Sequence, residues 1–195
     1  MTSRIRFADA ADVFEAFPRL YLIAPKPAAA VAPLDHARAL IASPRPAAAL
    51  AFVAHLLPRR EAIWWGAQCV SAMSSDAGTD EGMRLAVLWV RDPDETVRRE
   101  ALAFAEASGL KTPMSWLARA VGYSGGSLLA PDQPPMPAAP DACALSVNAA
   151  IVIAATKTPP PMILPWIRAC GEAGVRFAAG EEARVTAPGA SPAAA

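Results

Sequence analysis

Side chains that carry chemistry are scarce in this chain. Its 195 residues include two His, three Cys and two Tyr, and no cluster of Asp, Glu, His or Cys has the spacing of metal ligands. No metal centre is expected. Cys69, Cys143 and Cys170 are odd in number and far apart in apolar, helix-like surroundings. That argues against a disulfide framework and for buried free thiols, the state cysteine keeps in a reducing cytoplasm. No glycine-rich loop follows a strand-like run, so neither a phosphate cradle nor any other cofactor site is expected.

Net charge and long apolar runs are missing as well. Eighteen basic residues balance eighteen acidic ones, and the pI near 6.7 leaves no field for collecting nucleic acid or an anionic membrane. The most apolar run, Ala142 to Ala155, is too short to cross a bilayer and contains Asn148, so membrane insertion is not expected. At the N-terminus, Arg4 and Arg6 are followed by Asp9, Asp12 and Glu15 instead of the apolar stretch of a secretory signal. A cytoplasmic location is the expectation.

Alanine is what the chain has in quantity: 47 residues, against 6 Phe. It is the best helix former, and its small side chain lets helices approach closely. The fold class predicted is all-α, a compact helical bundle or a short HEAT-like array of helix pairs with proline-rich connections. A single helical domain should cover residues 1–180, with a central block at 43–122, a proline-rich spacer at 131–140 and two last helices within 141–180. A disordered tail is expected at 181–195.

Local signals place the elements. Val13, Phe14 and Phe17 anchor a short amphipathic piece that stops at Pro18, and residues 24–33 form a linker. Leu34, Ala37, Leu40 and Ile41 mark a helix ending before Pro44. In the central block, Leu50, Val53, Ala54 and Leu57 share one face, and a helix begins at Pro58 with Ile63, Ala67 and Val70 in a stripe. Residues 81–91 put Leu85, Leu88 and Trp89 inward. In Asp92-Pro93-Asp94-Glu95, Asp92 is the predicted cap, with Glu95 completing a capping box, and Gly109 ends that helix. The stretch from Trp89 to Leu102 resembles the Asp-Pro…Val-Arg…Ala-Leu run between the helices of a HEAT repeat, over about one repeat. Asp141 should cap a nearly wholly apolar helix to about Thr156, and the last helix, beginning near Thr158, should be kinked by Pro165.

Gly122-Tyr123-Ser124-Gly125-Gly126 fits the G-x-S-x-G nucleophile elbow, which needs a strand leading in and a helix leading out. Here Thr112-Pro113 starts a helix, with Met114, Leu117, Ala118 and Val121 at helical spacing, and five prolines crowd residues 131–140 downstream. No His follows Ser124; His36 and His55 both precede it. Gly122 is therefore expected as a left-handed C-cap, with Gly125 and Gly126 in a loop. His55, among apolar neighbours, is expected as a hydrogen-bonded core residue. No catalytic residue is assigned, and a serine hydrolase using Ser124 is the alternative function.

Arg59, Arg60, Glu61, Trp64 and Trp65 are the densest group of contact-prone side chains. Adjacent Trp64 and Trp65 point about 100° apart on a helix, so one of them can line a groove while the other packs inward. Trp and Arg are favoured anchors at interfaces. Arg59, Arg60, Trp64, Trp65 and Tyr123 are the candidate partner-binding residues, with core packing of both indoles as the competing reading.

Three runs carry a resemblance over residues 10–180: Phe14-x-x-Phe17-Pro18-Arg19-Leu20, then Ala51 through Trp65, then Ser124-Gly-Gly-Ser-Leu-Leu before the prolines. Together they resemble an uncharacterised family of small, Ala-rich bacterial helical proteins whose members can be encoded among type VI secretion genes. The resemblance supplies no catalytic residues and implies an accessory or adaptor role. The expected function is thus a non-enzymatic, cytoplasmic, protein-binding adaptor.

Overall fold

The computed structural model describes residues 3–130 and 132–189. Within them the chain forms nine α-helices, three short 3-10 turns and no strand. The helices are α1 (Ala10–Ala16), α2 (Pro33–Ala42), α3 (Ala47–Leu56), α4 (Arg59–Met73), α5 (Glu81–Arg91), α6 (Glu95–Ser108), α7 (Pro113–Gly122), α8 (Ala142–Thr156) and α9 (Ile163–Ala179). The all-α expectation is met.

A solenoid unit touches only its neighbours, whereas here α8 lies against α3, α4, α7 and α9, and α9 also reaches α2. The last helix thus returns to the first ones, and the architecture is a bundle. Its buried side chains form one contiguous cluster running from Ala10 to Ala183. Every residue of α3 from Ala48 to Leu56 is buried, so the single apolar face expected there is replaced by cover on all sides. Leu88 is also corrected: it stands 39% exposed, while Leu85 and Trp89 of the same helix are buried.

Short-range caps set most boundaries. Asp80 accepts from the Gly82 and Met83 amides at the start of α5, and Thr112 exchanges hydrogen bonds with Ser115 at the start of α7. The cap of α6 is Asp94, not Asp92: its carboxylate accepts from the Thr96 and Val97 amides at 2.8 and 3.1 Å. Glu95 instead pairs with Arg98 and Arg99. Asp141 sits before α8 without capping it, because its carboxylate is engaged by Arg19 at 3.3 Å. Pro165 is the third residue of α9, where the missing amide has no intrahelical acceptor to lose, so no kink is required there.

Gly109 does end α6 in the left-handed region, at φ 61°. Gly122 does not: it is the last residue of α7, and the positive φ of that loop falls on Gly126. Glycine is needed at 122 for another reason, since a Cβ there would lie 2.8 Å from Leu102 Cβ and 3.0 Å from its Cα. The proline-rich segment is not a plain spacer either. Leu128 N–H donates to Met136 O at 2.8 Å, and Met136 N–H to Ser127 Oγ at 3.1 Å, so it folds back on itself; Pro131 lies outside the described residues. In the segment expected as a disordered tail, Ala183 is buried and Val185 packs on the core. Residues 190–195 lie outside the described residues.

Candidate functional site

Successive side chains on a helix diverge by about 100°, and the first turns of α4 use that divergence to serve two sides of the bundle. Arg59 donates from Nη1 to Ser124 O at 2.8 Å and from Nη2 to Pro140 O at 3.5 Å. Arg60 turns the other way, donating from Nε to Val90 O at 2.6 Å and from Nη2 to Arg91 O at 2.9 Å. Those are the last carbonyls of α5, where the helix dipole is negative and the backbone acceptors are unpaired.

The two tryptophans separate in the same manner. Trp65 is fully buried and donates its indole N–H to Cys170 O at 3.0 Å. Helix α9 approaches it so closely that a Cβ on Gly174 would come within 2.8 Å of the indole. No partner can reach Trp65, and its assignment as a contact residue is corrected to core. Trp64 is half-buried and lines a groove of about 390 Å³ with Arg4, Arg60, Glu61, Val90, Arg91 and Phe177.

Sequence reasoning missed Arg4 and Phe177. Arg4 Nη1 donates to Phe177 O at 2.6 Å and to Glu181 O at 3.0 Å, and its guanidinium lies 4.2 Å from the centre of the Phe177 ring. It covers the C-terminal end of α9 much as Arg60 covers that of α5. No local signal points to this contact, because its two residues stand at opposite ends of the chain. The groove therefore holds three guanidinium groups against one carboxylate, with two of the three tethered to helix ends.

Tyr123 belongs to a different surface. Arg119 lies 5.0 Å over the Trp116 ring and 4.9 Å over the Tyr123 ring, so the phenol face is already occupied by a cation from its own helix. The five predicted contact residues are thus divided: Arg60 and Trp64 meet in the groove, Trp65 is core, and Arg59 and Tyr123 adjoin the loop after α7. That loop is held from inside by Arg98, 3% exposed, which donates to Gly122 O at 2.6 Å and Ser127 O at 2.8 Å and pairs with Glu95. Ser124 Oγ is buried with no hydrogen-bond partner among the described residues, and helix α7, not a strand, runs into it.

The remaining chemical groups are quiet. His36 Nε2 is 3.1 Å from Pro25 O, and His55 Nδ1 is 2.7 Å from Ala51 O; burial lowers both imidazole pKa values. Burial pushes the Cys143 thiol up to about 12, and burial together with the neighbouring Cys170 thiol raises Cys69. Such thiols stay protonated and unreactive. Among the described residues, no group of His, Cys, Asp and Glu could hold a metal ion, and no helix is long and apolar enough to cross a membrane.

Nothing among curated proteins or solved structures matches the chain. Residues 36–178, which include α3 to α8 and nearly all of α9, match the model of DUF6931, a family of unknown function, and the chain belongs to that family.

Proposed function

We propose that this protein is a non-enzymatic adaptor that binds another protein through the Trp64 groove, and that the bound element is an acidic segment of that partner. The observation that carries the reading is the company of Trp64. A half-buried indole stands among Arg4, Arg60 and Arg91, none of them ion-paired with a carboxylate among the described residues. An arginine fork matches a carboxylate with two parallel hydrogen bonds, and Trp and Arg are both enriched among interface anchors. The tethers of Arg4 and Arg60 to backbone carbonyls hold these groups in place, so less side-chain freedom is lost when a partner docks. A role as a secretion accessory in a bacterial cytoplasm belongs to the same proposal and rests on the sequence resemblance.

Cross-linking capture from the native host extract, followed by peptide mapping, tests it with wild type, Trp64→Ala and Arg91→Glu. One protein should be captured by wild type and lost by both folded variants, with its cross-linked peptides rich in Asp and Glu. Equal capture by all three, or cross-links to a segment without acidic residues, would show the groove reading to be wrong.

A further inference from the structure

Trp116, Arg119 and Tyr123 are spaced three and four residues apart at the end of α7, which puts all three on one side of the helix. The Trp116 indole is fixed by its own N–H, which donates to Leu110 O at 3.0 Å. Arg119, half-buried, lies over both rings, 5.0 Å from the centre of Trp116 and 4.9 Å from that of Tyr123. Stacking engages the face of a guanidinium and leaves its N–H edge to seek an acceptor. None is supplied: every guanidinium hydrogen bond among the described residues belongs to another arginine. No carboxylate there pairs with Arg119 either.

These three side chains line a hollow of about 390 Å³, a size that suits a small molecule. The proline-rich segment, folded back through Leu128 N–H to Met136 O at 2.8 Å, brings Leu128 and Ala138 to it, and α8 adds Leu145. Apart from the guanidinium groups, the wall is mainly apolar. Arg19 also lines it, but that cation is paired at 3.3 Å with Asp141, whose carboxylate is buried. The pair adds no net charge. Ser146 adds no free donor, because its hydroxyl donates to Ala142 O at 2.8 Å. Arg119 is therefore the one uncompensated charge among the residues that line the hollow.

We infer that this hollow binds a small monocarboxylate with an apolar body. A guanidinium edge matches a carboxylate with two parallel hydrogen bonds, and one uncompensated cation calls for one negative charge. A second carboxylate would have to lose water against apolar walls without a partner, which is costly. Trp116, Leu128, Ala138 and Leu145 cover the rest of the molecule. Because Arg119 is already held over two rings, little of its freedom remains to be lost on binding. This site is independent of the Trp64 groove, and either can fail without the other.

The probe is 4-phenylbutyrate, with 4-phenylbutyramide as the same body without the charge and phenylsuccinate as an aromatic acid with two carboxylates. Nitrogen–proton correlation spectra of the wild-type protein resolve the arginine Nε–H and indole N–H groups, and the Arg119 signal is assigned by its loss in Arg119→Met. Millimolar 4-phenylbutyrate should shift the Arg119 Nε–H and Trp116 indole signals together and saturably. The amide and phenylsuccinate should each bind about tenfold more weakly, the first for want of a charge-assisted hydrogen bond. Arg119→Met and Leu145→Glu, which puts a carboxylate on the apolar wall, should each weaken the probe by about tenfold while circular dichroism shows both folded. The inference is overturned if the probe leaves the Arg119 signal unmoved, if the amide or phenylsuccinate binds as tightly, or if either folded variant retains full affinity.

Discussion

The Trp64 groove and a hollow lined by Phe17, His55, Leu57 and Cys143 are formed by the same turns of one helix and are built on opposite plans. Arg60 and Trp64, four residues apart, face α5 and α9, while Arg59 and Ala62, three apart, face α3, α8 and the segment before α8. In the groove two of the three cations are tied to helix ends and an aromatic face is left open, which suits a wide contact with another chain. In the hollow the walls are mostly apolar, and its two cations, Arg6 and Arg59, stand exposed to solvent. Two consecutive arginines thus take unrelated duties, because a helix turns about 100° per residue and the neighbours on its two sides differ. Trp65 is the wedge between the two, anchored on Cys170 O and against Gly174.

The largest effect is expected from removing that wedge. Trp65→Ala should destabilise the protein by about 3–5 kcal/mol, as large aromatic truncations in a core do. It should weaken the groove as well, and denaturant unfolding with the partner-capture assay would show it. A variant that keeps partner capture intact would mean the groove is supported without this wedge.

Arg98→Met should be next, at about 1.5–3 kcal/mol, since it removes charge-assisted hydrogen bonds to the Gly122 and Ser127 carbonyls. It sharpens the comparison because it acts on one side only. Loosening residues 122–129 frees Ser124 O, the anchor of Arg59, while partner capture at the groove should persist. Hydrogen exchange should rise in that loop and not in α5.

A smaller effect comes from pH. Burial sets the folded-state pKa of His55 below its ordinary 6.5, outweighing the opposing Ala51 and Asp141 contributions, and His36 is lowered likewise. The unfolded chain therefore binds these protons first as pH falls. Stability is complete above the ordinary imidazole value and declines below it, toward the folded-state value. The urea midpoint at about pH 5.5 should lie below that at about pH 7.5, and the gap should shrink in His55→Leu. An equal gap in the variant would assign the loss to other groups.

Arg60→Met should be the mildest change, about 0.3–1 kcal/mol for a cation at an exposed helix end. It should reduce partner capture and leave hydrogen exchange in residues 122–129 unchanged. Faster exchange in that loop would erase the division between the two sides of α4.

Much of the helical layout was legible beforehand. The start of α7 at Thr112-Pro113, the stop of α6 at Gly109 and the span of α5 were all visible, because caps, prolines and turn glycines act over about four residues. The choice between Asp92 and Asp94 was not. Either can cap next to Pro93, and the winner is the carboxylate that faces two free amides. Gly122 stood out as special for the wrong reason, since its constraint comes from Leu102 on another helix. Of the sites, Arg60 and Trp64 were visible as a cluster, but Arg4 and Phe177 were not.

The alanine content, the caps and the prolines were enough to make this chain helical and to mark most of its helix ends, since each depends on neighbours within a turn. Which face of α4 is covered depends on groups more than a hundred residues away. Cys170 and Gly174 bury Trp65, whereas its neighbour Trp64 is left beside Phe177 and the arginines. Packing of α4 between α5, α7, α8 and α9 made that selection, and with it the two hollows, because close contact between distant segments exists only once the bundle has closed.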